Sequence, residues 1–472
     1  MQDEGVERHL EHQLHPDISQ LPPDLTAELM ELKSLGKGCA ELYQEYWWKA
    51  QVSNPKSTPR EEKKRLKGHE HKVGLEARKA RLARAVRSPW QLQEALVEFW
   101  FNHFNIYDKK TLTRIWAGAF EEQAIRPHTL GRFENLLLAT SRHPAMLVYL
   151  DNVKNIAPTA AQDDSLKQSD DEEADTGIRK KKKDTGINEN YAREVMELHT
   201  LGVDGGYTQA DIVSLAHILT GWTVGKGAAV HAQAAASSWK RSRGDFDFAA
   251  RLHDPRPELL LGREFSGSDI KEGEDALLLL ARHPSTAHHI SFKLAQYFVD
   301  DQPPPALVES MAMQFRTSGG DIRAVLNTMF VSGAFMSADN FGKKFKTPYR
   351  YIVSAARAAA LPTSDVRPLI GALTELGQPL YRCVTPDGYA CTQSAWLDSN
   401  SLLHRLSVAL RMGAGGYGSK PAADGALVPL DAERLLQTLG PQLGETAVAA
   451  VRSTPQEHRA AAILGSPDFM RC

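Results

Sequence analysis

A chain of 472 residues, 42% hydrophobic and 24% charged, has the composition of an ordinary soluble globular protein and can bury a large core. A formal net charge of −2 argues against nucleic acid or a membrane surface as a bulk partner, and no apolar run is long enough to be a transmembrane segment. The cysteines Cys39, Cys383, Cys391 and Cys472 match no zinc or redox spacing. They are either four free thiols or, in an oxidising compartment, include a Cys383–Cys391 bridge.

Taken in order, the chain opens on a charged stretch with no secretory apolar region, which as it stands implies a cytoplasmic protein. Two short amphipathic helices are predicted at 6–14 and 23–35. The basic tract 54–72 lacks interleaved aromatics for base stacking and reads as a solvated helix or loop. A helix over 89–104 is signed by Ser88 as cap, Pro89 in the first turn and Gln91 as box residue. Leu92, Leu96, Phe99 and His103 share its inner face, so His103 is either a hydrogen-bonded core histidine or a ligand. Helices at 127–140 and 144–150 break at Arg142-His143-Pro144, and Arg282-His283-Pro284 repeats that corner.

Residues 158–186 carry an acidic block followed by a basic one and read as a mobile, disordered linker. Its two ends should lie close together, bringing Asp151 and Asn152 toward Asn188 and Asn190. The stretch 187–222 then reads as helix, glycine turn, helix. In the first helix, at about 100° per residue, Asn190, Glu194 and Glu197 fall on one stripe, and His199 lies nearly opposite Glu197. One reading has Arg193 paired with Glu197 on a solvated face and His199 in the core. The other makes both glutamates functional. Glu194 is expected to be buried and paired. The second helix is capped by Thr208 with Asp211 as box partner.

From 224 to 261 the helical period fails, and a small β-hairpin insertion is expected around 245–267. Helices resume from 273 and alternate with Pro- and Gly-rich loops to 412, followed by a glycine-rich linker and a helical tail over 413–472. The fold class is mostly α, a multi-helix globular array of about fifteen helices. Three segments are expected: an N-terminal helical segment at 1–86, a core at 87–412 that contains the charged linker, and the glycine-rich linker and helical tail at 413–472.

No nucleotide-binding loop, nucleophile elbow, H-E-x-x-H or C-x-x-C is present. The remaining chemistry is a polar set that includes Asn105, Asn152 and Asn188. Within it Glu194, Glu197 and Asp151 are candidate catalytic carboxylates. His103, Asp151, Asn190, Glu194 and His199 are candidate ligands for a divalent metal ion. The same set also suits a buried network that fixes helix packing.

The run N-E-N-Y-A-R-E-V-M-E-L-H-T-L-G-V-D-G-G-Y-T-Q-A-D-I-V, with F-W-F-N-H-F-N at 99–105, K-F-K-T-P at 344–348 and P-D-G-Y at 386–389, resembles a bacterial family, domain of unknown function 1800. The resemblance covers nearly the whole chain. It implies a mostly helical fold, a start that lies upstream of Met1, and export to the periplasm or exterior where a signal is present. It also implies an alkaline-phosphatase-like protein encoded nearby as partner. Two functions stand side by side: a non-catalytic binding or maturation partner of that protein, and a metal-dependent or carboxylate-based hydrolase of an extracellular polymer.

Overall fold

Proline, glycine and side-chain caps cut this chain into helices, most of which bury an apolar face. The computed structural model describes residues 5–48, 60–158, 186–225, 245–267, 269–417 and 427–472. The charged linker lies outside the described residues except at its two ends, and so does the start of the basic tract. Among the described residues there are 21 α-helices. This exceeds the fifteen expected because several, such as Cys39–Leu42 and Gly333–Met336, are a single turn too short to show a period.

The helices that frame the molecule begin with α1 (Val6–Leu14), α2 (Pro23–Met30) and the long α3 (Arg60–Arg87). The described part of the basic tract is thus helix. Further along α3, Arg78, Arg81, Arg84 and Arg87 recur at three-residue spacing and turn inward. They meet Asp108, Glu121, Glu122 and Glu28 respectively. Next come α4 (Gln91–His103), α5 (Thr113–Phe120), α6 (Phe133–Arg142) and α7 (Pro144–Tyr149). Helix α4 starts two residues later than expected. Ser88 Oγ accepts from the Trp90 amide, and the Gln91 side chain donates to the Ser88 carbonyl, so both residues shape the turn before the helix.

The histidine corners are structural. His143 Nδ1 accepts from the Ala145 amide at 3.2 Å, and His283 Nδ1 accepts from the Ser285 amide at 3.2 Å, with proline at the first helical position in both. An imidazole here does what a serine or aspartate cap does elsewhere.

The linker's ends do meet. Asn155 and Gly186 form a parallel bridge, and the Asn155 side-chain oxygen accepts from the Asn188 amide at 2.9 Å. Helix α8 (Asn190–Glu194) follows and widens at once into π-helical turns over Val195–Thr200. After Gly205-Gly206 comes α9 (Gln209–Ile218), with the expected Thr208–Asp211 capping box.

Two antiparallel pairs make up the β structure among the described residues. Strand β1 (Trp222–Val224) pairs with β2 (Phe246–Phe248). Strands β3 (Glu258–Leu260) and β4 (Arg263–Phe265) form the expected hairpin. Leu261 and Gly262 turn it with φ of 48° and 77°, the sign a tight hairpin turn requires. Asp254, buried between the two pairs, lies 2.7 Å from His217 Nδ1 and ties the insertion to α9.

Helices α10 (Ile270–Ala281), α11 (Pro284–Phe298), α12 (Pro305–Ser318), α13 (Ile322–Phe330), α14 (Pro348–Ala358) and α15 (Arg367–Glu375) complete the central array. Helix α16 (Ser399–Gly413) packs on α19 (Arg459–Leu464), with α17 (Ala432–Leu439) and α18 (Glu445–Ser453) between them in sequence. One contiguous apolar cluster runs from Leu14 to Met470.

Candidate functional site

The motif F-W-F-N-H-F-N ends α4 and performs three bonding tasks. Asn102 donates to the Tyr389 carbonyl at 2.7 Å and accepts from the Tyr389 amide at 2.8 Å. Asn105, buried, donates to the carbonyls of Cys383 and Thr385 at 3.1 and 2.7 Å. Together they clamp the loop 383–391. Its far end is fixed by Cys391, whose Sγ lies 3.5 Å from Gln296 Oε1 on α11, and whose carbonyl accepts from Lys344. Cys383 and Cys391 are free thiols, as are Cys39 and Cys472.

The third task belongs to His103. The π-turn of 195–200 shifts the backbone bonding by one residue, so that Leu201 N–H reaches the Met196 carbonyl and Thr200 Oγ1 the Val195 carbonyl. Carbonyls at the helix end are left over. His103 Nε2 donates to the His199 carbonyl at 3.1 Å, and His289 Nε2 donates to the Leu198 carbonyl at 3.3 Å. The His103 ring lies 6.2 Å from each of the His199 and His289 rings, centre to centre. Among the described residues, His103 Nδ1 and His199 Nε2 are buried with no hydrogen-bond partner.

One turn beyond His289, on the same face of α11, stands Lys293. It is partly buried, and its charge acts on all three imidazoles. Burial first, and Lys293 second, hold His103 well below the usual imidazole range, His199 at about 3 and His289 at about 4. All three are therefore neutral near pH 7. Burial also lowers Lys293, while Cys391 and Asp387 on the loop pull it back up.

Glu194, on α8, feels the charge of the loop residue Asp387, as Lys293 does. It is half-buried and makes no ion pair or hydrogen bond among the described residues, contrary to the expectation that it is paired. Burial, then the charges of Glu197 and Asp387, push its carboxyl up to about 7, against the opposing pull of Arg193. Arg193 is engaged elsewhere, with Glu189 at 3.1 Å and with Glu197 at 3.5 Å. The i,i+4 pair with Glu197 read from the sequence is thus present.

The other candidates are spent on architecture. Asp151, at a φ of 61°, pairs with Lys110 and Lys154, both at 2.8 Å, which holds its carboxyl below the ordinary range despite partial burial. Asn152 donates to the carbonyls of Leu219 and Trp222. Asn188 accepts from the Asn190 amide, and Asn190 donates to the Leu150 carbonyl at 3.1 Å. The fold therefore joins His103 to His199 and sets Glu194 beside Glu197, but keeps Asp151 on its lysines. Among the described residues no three of His, Cys, Asp and Glu stand close enough together to hold a metal ion.

Sequence reasoning missed His289, Lys293 and Asp387. His289 and Lys293 share an i,i+4 stripe that was visible, but nothing local connects that stripe to His103.

A second surface feature lies on α16. Leu402, Leu403, Leu406 and Leu410 are 36%, 66%, 37% and 53% exposed and fall within about 100° of the helix circumference. Arg405, Val408, Ala409 and Met412 on the adjoining face are buried. Arg405 donates to the Lys346 carbonyl and lies over the Phe345 ring, which locks the helix and presents the leucines outward. No helix of the described residues is long and apolar enough to cross a membrane.

The fold is a helical array whose polar centre ties α4, the end of α8's continuation at 195–200, α11 and the 383–391 loop together. The family described as Protein of unknown function (DUF1800) matches residues 1–471, and the chain belongs to that family. No curated protein and no solved structure matches it.

Proposed function

We propose that this protein is a non-catalytic binding partner, acting on an alkaline-phosphatase-like protein encoded nearby in maturation or assembly. The observation that carries the binding reading is the leucine stripe of α16. Four leucines on one helix face, each more than a third exposed, form the apolar surface that helix-in-groove docking uses. The identity of the partner rests on the family resemblance.

Co-expression of the two proteins with a tag on the phosphatase-like chain tests this. The wild-type protein should co-purify, and Leu403→Glu with Leu410→Glu should abolish co-purification while circular dichroism stays unchanged. Equal recovery of wild type and double variant overturns the docking face, and no recovery of either overturns the partner.

One observation favours the hydrolase reading. Glu194 is a half-buried carboxyl without a partner, raised to about 7, as a general acid needs to be. Loss of a polysaccharide-cleaving activity in Glu194→Gln with an intact fold would establish it.

A further inference from the structure

His253 lies between the two strand pairs of the insertion, with an acceptor at each ring nitrogen. Nδ1 stands 3.0 Å from the Thr220 carbonyl, just past the end of α9. It stands 3.2 Å from Thr220 Oγ1, whose proton goes to the His217 carbonyl at 2.6 Å. Nε2 stands 3.3 Å from Glu272 Oε2, in the first turn of α10. The two side chains are 4% and 2% exposed. Nε2 and Oε2 are not aligned as a hydrogen bond, and among the described residues neither has another partner, so they face each other as an ion pair. Carbonyl and carboxylate oxygens accept, and a neutral imidazole has one N–H to offer. The geometry is therefore that of an imidazolium.

This pair joins the insertion to the helical array. Glu272 Oε1 accepts from the Gly267 amide at 2.7 Å, so one carboxylate holds both His253 and the end of the insertion. The Asp254 amide donates to Thr220 Oγ1 at 2.8 Å, and the Asp254 carboxylate meets His217 of α9 and Arg256. The charged groups around His253 are thus Glu272 from α10 and Asp254 beside it. His217, Arg256 and the Glu258 of β3, which lies 3.8 Å from His217, are reached through Asp254. Strand β2 presents the ring of Phe248, 5.3 Å away centre to centre. Burial lowers the His253 pKa, but the Glu272 and Thr220 bonds and the charges of Glu272 and Asp254 outweigh it and hold the ring above the ordinary 6.5.

We propose that His253 is a pH-sensitive lock: protonated, it holds the 245–267 insertion against α9 and α10, and its deprotonation lets the insertion open locally. Loss of the proton leaves a buried carboxylate facing a neutral ring, an unfavourable arrangement at this burial. A ring whose folded pKa is raised stabilises fully below the unfolded value of 6.5 and loses that contribution as pH rises through the folded value. The loosening is thus on the alkaline side, opposite to the acid loss that His143, His199 and His289 bring. This inference does not depend on the docking face of α16.

Hydrogen exchange of the full chain at pH 6 and pH 9, corrected for the intrinsic rate at each pH, tests it. Protection across 245–267 should fall by about threefold or more between the two, while that of α13 stays level. His253→Gln should give the weaker protection at both pH values. Glu272→Gln, which keeps an acceptor for the Gly267 amide, should also remove the pH dependence. His217→Gln should retain it, because His217 meets the insertion through Asp254 and not through Glu272. In the wild type, the His253 imidazole resonance, assigned by its loss in His253→Gln, should titrate above 6.5. The proposal is overturned if wild-type protection does not change with pH, or if His253→Gln is as protected as the wild type at pH 6. It is equally overturned if the pH dependence survives in His253→Gln or Glu272→Gln, if it vanishes in His217→Gln, or if His253 titrates at or below 6.5.

Discussion

His103 Nε2 donates to the carbonyl of His199 across 96 residues of chain, at 3.1 Å. This single bond closes the end of the π-turn, fixes the tautomer of His103, and sets α4 against α8. His103→Leu keeps the volume roughly but leaves a buried carbonyl without its donor, which should cost about 1–3 kcal/mol. Urea denaturation of wild type and variant measures it. Equal midpoints would mean that the carbonyl finds another donor.

The clamp on the 383–391 loop makes a second expectation. Gly388 has a φ of 76°, and a Cβ built there would stand 2.3 Å from the Asn102 carbonyl oxygen. Gly388→Ala should therefore displace the loop from Asn102 and Asn105, at a cost of about 1–3 kcal/mol in strain and lost bonding. Hydrogen exchange read by mass spectrometry should rise across 383–391 and stay unchanged in α1. Unchanged protection of the loop would refute the clamp.

The buried histidines give stability a pH dependence with a definite sign. His199 falls from an ordinary value of 6.5 to about 3, and His289 to about 4, chiefly through burial. His143 falls to about 3 for the same reason. The unfolded chain thus binds protons at these sites before the folded one does. Stability is fully present above pH 6.5 and is lost as pH falls toward 3. Melting temperatures between pH 8 and pH 4 should drop steeply below pH 6. A flat profile would show that these rings are hydrated.

Glu194 has the opposite sign. Its folded pKa of about 7 exceeds the ordinary 4.5, so its contribution is most favourable below pH 4.5 and is lost as pH rises through 7. Glu194→Gln should match the wild type at pH 4 and be more stable at pH 8. With the group half in solvent, the gain is about 1 kcal/mol after screening. A loss of stability at pH 8 would reveal a cation partner for Glu194.

Much of the fold was legible in the chain. The Thr208 and Asp211 box, the proline starts of α7 and α11, and the small hairpin insertion depend on residues a few positions apart. Local periodicity and backbone sterics determine such features wherever the chain ends up. The same reasoning placed His103 on the inner face of its helix and brought the ends of the charged linker together.

What the sequence by itself determined, then, is the mostly helical fold class, the capped and proline-started helices, the family, and which faces of those helices seek the core. Only the tertiary structure decided what the polar residues do. At 100° per residue Glu197 and His199 stand opposed, but the π-turn over 195–200 departs from that angle and exposes two carbonyls. Those carbonyls then draw in His103 from α4 and His289 from α11. Asp151 looked like a free carboxylate until Lys110 came alongside from 41 residues away. Lys293 carried no signal in the sequence, and only the fold lets its charge act on three imidazoles from three different elements. Each of these outcomes depends on a partner distant in sequence, and the strength of a charge or an unpaired nitrogen is set by burial among such partners.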